Sequence, residues 1–216
     1  MKSIKQSIYR FFTRNPLIHW TVKKIRNTFF PGSALYWERH YSRDGNSGTG
    51  SYGRSAEYKA SFLNRFVEDN HIQSVIEFGC GDGNQAMQFN FPSYIGLDVS
   101  GTAIEKCGEL CKHDPAKQFF ILDQKTTALK AELAISLDVI YHLIEKDVYD
   151  NYMKQLFAAA TKYVISYAWD VESDKNYHVK HRNFSKWIKD HQQNFQLKDK
   201  RRKEPYADFF IYQRIE

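Results

Sequence analysis

Val75-Ile76-Glu77-Phe78-Gly79-Cys80-Gly81-Asp82-Gly83-Asn84-Gln85, followed shortly by Tyr94-Ile95-Gly96-Leu97-Asp98-Val99-Ser100, decides the fold of this 216-residue chain. Val75, Ile76 and Phe78 read as a buried strand. Glycines at 79, 81 and 83 let the backbone turn sharply and approach a ligand where a Cβ would collide. A second apolar run then ends in an acid, Asp98. The order strand, glycine-rich turn, short helix, strand, carboxylate puts Asp98 beside the turn at the carboxyl edge of a parallel sheet, where it can accept hydrogen bonds from ribose hydroxyls. The expected ligand carries an adenosine-like ribose.

The glycines alone do not settle which ligand, because Gly81-Asp82-Gly83-Asn84-Gln85-Ala86 also fits the dinucleotide pattern GxGxxA. Glu77 does. A pyrophosphate wants helix-terminal amides and no nearby anion, whereas an acid two residues before the first glycine suits a cation. Here the sequence resembles the class I S-adenosylmethionine-dependent methyltransferases, whose first motif reads E/D-x-G-x-G-x-G. The resemblance implies S-adenosyl-L-methionine as cofactor and S-adenosyl-L-homocysteine as product. The cofactor residues it implies are Tyr52, Glu77, Gly79, Gly81, Gly83, Gln85, Asp98, Val99, Asp123, Gln124 and Leu137.

Two later stretches extend the resemblance, which covers about residues 55 to 170. Phe119-Phe120-Ile121-Leu122-Asp123-Gln124 looks like the family's third strand, ending near the adenine amine. Glu132 to Leu143 is similar to its fourth motif, where strand gives way to helix beside the reactive methyl. Lys162 to Tyr167 reads as a fifth strand, and Phe195-Gln196-Leu197-Lys198 with Asp208 to Gln213 as a closing antiparallel pair. Periodicity by itself gives only an α/β alternation. The resemblance adds a Rossmann-like, seven-stranded, mostly parallel sheet in the order 3-2-1-4-5-7-6, with helices on both faces, an antiparallel last strand and an N-terminal helical extension. The expected division is 1–54 for the extension and a glycine-rich lid, and 55–216 for the cofactor-binding domain.

The extension is basic and amphipathic. Ile4, Ile8, Phe11 and Phe12, then Leu17, Ile18, Val22, Ile25 and Phe29, recur at helical spacing among Lys2, Lys5, Arg10, Arg14, Lys23, Lys24 and Arg26. Such helices either lie on an anionic membrane surface or pack on the domain or on a partner subunit, which would make a homo-oligomer. No run approaches the roughly 20 apolar residues that cross a bilayer, and no signal-peptide core is present. A cytoplasmic location, within reach of the inner membrane surface, is expected. Cys80, Cys107 and Cys111 lack paired CxxC spacing, so neither a disulfide framework nor a zinc site is expected. No other metal-ligand spacing appears.

The net charge of +6 raises the question of nucleic acid. The excess is concentrated in the first 30 residues and around Lys198, Lys200, Arg201, Arg202 and Lys203, with no aromatic interleaved in the latter run. Ser136-Leu137-Asp138-Val139 also departs from the Asn/Asp-Pro-Pro-Tyr/Phe pattern of enzymes that methylate exocyclic base amines. Nucleic acid is not the expected partner; a small molecule or glycan is.

Between the extension and the core, residues 36–53 start with Tyr36, Trp37 and Tyr41 and finish in glycines, as a lid over bound cofactor would. Ser55 is expected to open the helix that follows. Asp138 and His142, four residues apart at an expected helix start, can both face the reactive methyl. An imidazole pKa near 6.5 makes His142 the preferred general base and Asp138 its orienter or a ligand for a substrate hydroxyl. The competing reading has Asp138 capping the helix and His142 packing beneath the sheet. His178 and His181 can bracket a polar acceptor or contribute to catalysis, with Arg182 pairing a phosphate or carboxylate, or all three are solvated loop residues.

Phe30-Pro31-Gly32-Ser33, Tyr36-Trp37-Glu38, Gly48 to Gly53 and Ser136 to Leu143 further resemble small bacterial methyltransferases associated with cell-surface glycan pathways. That resemblance implies O-methylation of a sugar, a sugar nucleotide or a group attached to one, in surface polysaccharide biosynthesis. The alternatives are an RNA methyltransferase, whose binding would be strongly salt-dependent, and a cofactor-binding scaffold without turnover.

Overall fold

The computed structural model describes residues 30–176, 178–202 and 207–215. The expected amphipathic helices before residue 30 lie outside the described residues, as do Tyr177 and Lys203. Helix α1 (Ser33–Tyr41) is followed by α2 (Gly53–Asp69) and strand β1 (Val75–Phe78). Then come β2 (Tyr94–Asp98), α3 (Gly101–Leu110), β3 (Lys117–Ile121) and β4 (Ala131–Leu137). Helix α4 (Lys146–Ala159) leads into β5 (Ala160–Ala168), a hairpin of β6 (Ser173–Asn176) and β7 (Val179–His181), helix α5 (Phe184–His191), and finally β8 (Phe195–Arg201) and β9 (Asp208–Arg214).

Seven strands form one sheet in the order β3-β2-β1-β4-β5-β9-β8. Because the hairpin β6–β7 stands apart, this is the expected 3-2-1-4-5-7-6 arrangement, Rossmann-like, with β9 antiparallel to both neighbours. The hairpin has no counterpart in the sequence reading, which placed no strand between β5 and the helix after it and offered His178, His181 and Arg182 either as acceptor-binding or as solvated loop residues.

Central strands bury both faces, and their side chains alternate between two cores. On one face Leu133 and Ile135 of β4 and Phe209 and Ile211 of β9 meet Ala60, Leu63 and Val67 of α2. On the other, Ala134, Phe210 and Tyr212 meet Met153, Leu156 and Phe157 of α4 and Ile188 of α5. Strand order reverses between β1 and β4, which leaves a crevice beyond their carboxyl ends, the usual position for a ligand in an open α/β sheet.

Three local expectations are corrected. The helix expected to open at Ser55 begins at Gly53. No α-helix starts at Asp138: that residue is left-handed, with φ of 62°, a backbone that cannot propagate an α-helix. A single 3-10 turn, Ile140–His142, follows it instead. The run from Lys198 to Arg201 is strand β8, and it shares a cleft of about 510 Å³ with Tyr58, Phe62 and Phe66 of α2. Aromatics absent from the run in sequence thus stand beside it in space.

Candidate active site

The crevice holds a cavity of about 420 Å³, and the glycine loop forms its floor. Gly81 has φ of 59°, and a Cβ there would come within 2.1 Å of Ser47 Oγ and 2.9 Å of the Tyr41 hydroxyl. Only glycine lets the segment above approach the loop so closely. Gly79 also lines the cavity; Gly83 lies outside the lining, packed against Cys107.

Two buried carboxylates flank the loop. Asp98, at the end of β2, accepts from Gly81 N at 3.0 Å and from Ser100 N at 2.9 Å. Burial outweighs these hydrogen bonds and raises its pKa to about 6. Glu77, in β1, accepts a 2.5 Å hydrogen bond from the Tyr94 hydroxyl. Burial pushes its pKa up to about 7, against that hydrogen bond and the charge of Lys59. Gln85 is 3% exposed. Its Nε2 donates to Ala56 O at 3.0 Å, while Oε1, buried, has no partner among the described residues.

A cap covers this floor. Glu38 of α1 accepts from the hydroxyls of Ser100 and Thr102 at 2.7 and 2.6 Å, at the amino end of α3. The same Ser100 oxygen accepts from Ala103 N, the usual office of an N-cap serine. Asp82 holds the cap's other side, accepting from Ser47 N at 2.9 Å and the Tyr52 hydroxyl at 2.7 Å, while its own N–H donates to Ser47 Oγ. Burial pushes the Asp82 pKa up, but these hydrogen bonds and that from Asn84 N outweigh it and hold the carboxyl below its usual range. Ser33 ties the start of α1 to Glu145, donating from its N–H at 2.9 Å and its hydroxyl at 2.6 Å.

The opposite wall is made of rings. The imidazoles of His178 and His142 lie 5.8 Å apart at 5°, and Tyr36 stacks on His178 at 5.2 Å and 18°. Trp37 meets His142 edge-on at 4.8 Å. His142 Nδ1 lies 2.9 Å from the His178 carbonyl oxygen. A carbonyl only accepts, so Nδ1 carries the proton and Nε2 keeps its lone pair. Burial lowers the His142 pKa to about 4, the hydrogen bond to His178 acting the other way, so the ring is neutral near pH 7.

Asp138 does not orient His142. Its Oδ2 accepts from Lys59 Nζ at 2.7 Å and its Oδ1 from the Tyr141 hydroxyl at 3.0 Å. Lys59 is 0% exposed, a cation placed in the core. Gly50 of the cap lies against the same carboxylate, and a Cβ on it would fall 2.7 Å from Oδ2.

Of the residues singled out in the sequence, the cavity lining brings together Glu77, Gly79, Gly81, Gln85, Asp98, Val99, Leu137, Asp138, His142 and His178. Tyr52 stands behind the lining on Asp82. Asp123 and Gln124 stand outside it, with Leu122 in their place; the exposed Asp123 carboxylate closes its own turn, accepting from Lys125 N and Thr126 N. His181 is buried between Tyr141 and Trp169. Arg182, expected to pair an acceptor anion, instead donates to the carbonyls of Leu143 and Ile144 at 2.6 and 2.8 Å and lies over the Tyr149 ring. Lys59, Asp82, Glu38 and Ser47 were not found from sequence. A signal existed for Lys59, which occupies the apolar stripe Ala56, Ala60, Leu63, Val67 of α2. Among the described residues no group of His, Cys, Asp and Glu side chains could hold a metal ion, and no helix is long and apolar enough to cross a membrane.

No protein-family model matches the chain, and no curated protein matches it in sequence. Solved structures do match in fold. Magnesium protoporphyrin IX methyltransferase from Synechocystis PCC 6803, with bound S-adenosylhomocysteine, is similar over 89% of this chain and 99% of its own, at TM-score 0.59 and 16% identity. The N-methyltransferase NodS from Bradyrhizobium japonicum WM9, in complex with S-adenosylhomocysteine, is similar over 86% of this chain and 100% of its own, at TM-score 0.67 and 14% identity. The methyltransferase domain of a bacterial Hen1 protein covers 73% of this chain and 97% of its own, at TM-score 0.54 and 16% identity. The chain has the Rossmann-like fold of S-adenosylmethionine-dependent methyltransferases.

Proposed function

We propose that the chain is an S-adenosylmethionine-dependent O-methyltransferase acting on a hydroxyl of a sugar, a sugar nucleotide or a sugar-attached group, in bacterial surface polysaccharide biosynthesis. One observation carries the cofactor: Glu77 and Asp98 flank the glycine loop in a cavity that no described lysine or arginine lines. Such a site suits a cationic nucleoside and opposes a pyrophosphate. Asp98 would hold the ribose hydroxyls, and Glu77 with Gln85 Oε1 the cationic methionine end. When bound there, S-adenosylmethionine supplies an electrophilic methyl on sulfur. The chain's own contribution is to align the acceptor and take its proton, alignment alone being worth roughly 7 to 11 kcal/mol. His142 Nε2 is the free base on the acceptor side. A glycan context rests on the motif resemblance.

Calorimetry with S-adenosylmethionine and with NAD, side by side, tests the reading; binding of NAD alone would overturn it. In the same experiment Asp98→Ala is expected to weaken S-adenosylmethionine binding about 10- to 150-fold, the equivalent of about 1.5 to 3 kcal/mol for lost charge-assisted hydrogen bonds. Unchanged affinity would remove Asp98 from the ribose site.

A pH dependence follows as well. Above about pH 7 both Glu77 and Asp98 are ionised and attract the cofactor's positive charge; as pH falls through 7 and then 6 they protonate and the attraction is lost. Affinity is expected to fall roughly tenfold per unit below these values for each carboxylate whose charge binding requires. Their contribution to the stability of the free protein has the opposite sign. The unfolded chain ionises these groups near pH 4, so between about 4 and 7 the folded state holds more protons, and stability from them declines as pH rises. Titrations from pH 5.5 to 8, paired with thermal melts of the free protein, check both slopes. A flat affinity would rule out a charge-based role for the pair.

A further inference from the structure

We propose that the ring-walled half of the cavity is an acceptor subsite for an uncharged, hydroxyl-bearing ring, and that it refuses the same ring carrying a carboxylate or phosphate, which narrows the acceptors named above to neutral sugars and sugar-attached groups and sets the sugar nucleotide aside. The inference rests on the methyltransferase reading above.

Charge excludes the anion. Glu77, Asp98 and Asp138 line the cavity, and the cations nearest to it are committed elsewhere. Lys59 is held by Asp138, Arg182 by the carbonyls of Leu143 and Ile144, and Lys106 by those of Tyr41 and Gly45 at 3.0 and 3.3 Å. His142 is neutral near pH 7. A carboxylate or phosphate entering here would shed its water, meet no lysine or arginine in the described lining and face Glu77 and Asp98, Asp138 being already balanced by Lys59, an arrangement that is costly in low dielectric.

Shape selects the ring. Tyr36, His178 and His142 form a column of near-parallel rings and Trp37 meets it edge-on, an aromatic wall that suits the C–H groups of a pyranose or the rim of an arene. Acceptors stand within it: His142 Nε2 and the second lone pairs of the Asp138 oxygens, each of which already accepts one hydrogen bond. Ring hydroxyls supply the donors such groups need. A protonated amine would also be attracted, but it has no lone pair with which to attack a methyl.

The test uses the full chain and a matched panel: methyl glycosides of neutral hexoses, the corresponding uronates, hexose 6-phosphates and 2-amino-2-deoxyhexosides. Binding to the protein saturated with S-adenosylhomocysteine is read by saturation-transfer NMR, and turnover by S-adenosylhomocysteine formed from S-adenosylmethionine. Neutral rings are expected to bind, with uronates and phosphates weaker by about tenfold or more. In Val148→Lys, which puts a cation in the lining, the penalty on anions is expected to shrink. Equal binding of uronate and neutral ring in the parent protein, a preference for the amino sugars, or no binding of any neutral ring while S-adenosylmethionine still binds would each overturn the inference and leave the cofactor reading standing. Failure of S-adenosylmethionine itself to bind would overturn the reading beneath it.

Discussion

Replacing His142 by asparagine is expected to lower kcat by about 10²- to 10⁴-fold while leaving cofactor affinity little changed. Asparagine can still donate to the His178 carbonyl, as Nδ1 does at 2.9 Å, so the wall between the 3-10 turn and the β6–β7 hairpin should keep its form. What disappears is a nitrogen lone pair able to take the acceptor's proton. Burial has already lowered the histidine pKa to about 4, which places its acid limb well below that of an ordinary imidazole. In the parent protein, kcat at saturating cofactor should therefore hold steady through pH 6.5 and fall only toward pH 4, whereas kcat/KM for cofactor falls earlier as Glu77 and Asp98 protonate. Single-turnover rates with whichever panel member turns over separate the two limbs. A variant with near-normal kcat would take His142 out of the chemistry.

Asp138→Asn is expected to cost about 3 to 5 kcal/mol of folding stability, because it takes from the buried ammonium of Lys59 the carboxylate it is hydrogen-bonded to. In a chain of this size that corresponds to a fall in Tm of roughly 6 to 20 °C. The double variant Lys59→Met with Asp138→Asn removes both charges, keeps at 138 a residue that tolerates the left-handed backbone, and should recover much of the loss, since no buried charge is left without its partner. Denaturant titration of the parent, Lys59→Met, Asp138→Asn and the double variant closes the cycle. An Asp138→Asn variant as stable as the parent would mean that Lys59 finds water or another partner, and the ion pair would then have no structural role. If the double variant folds but does not turn over, the pair is retained for the carboxylate it presents to the cavity.

The fold was legible because it is written in short segments. Each strand is a local apolar run, the loop a local run of glycines, and Asp98 lies 17 residues from the Gly81 N–H that it accepts. The cap was half legible: aromatics and glycines at 36–53 suggest a lid, but its tethers do not show. Glu38 reaches Ser100 and Thr102, more than 60 residues on, and Ser47 reaches Asp82 across 35. Nothing in the local pattern pairs them. Arg182 was misread because a guanidinium beside two histidines suggests an anion site, whereas the chain turns it onto two carbonyls left open past the 3-10 turn. That turn was itself missed, since spacing cannot tell Asp138 and His142 on an α-helix from the same residues after a left-handed kink.

The contact between Gly50 and Asp138 leaves a mark on inheritance. A Cβ at position 50 would lie 2.7 Å from Asp138 Oδ2, an oxygen already fixed by Lys59, and Asp138 keeps a left-handed backbone that asparagine or glycine would share but β-branched residues would not. Drift at either position is therefore conditional on the other. Relatives that retain the cap are expected to carry the glycine, the acid and the buried lysine together, and an alignment in which the three vary independently would overturn the coupling. These three positions, scattered across 89 residues of chain from 50 to 138, form a joint signature by which distant kin can be sorted where overall identity has eroded.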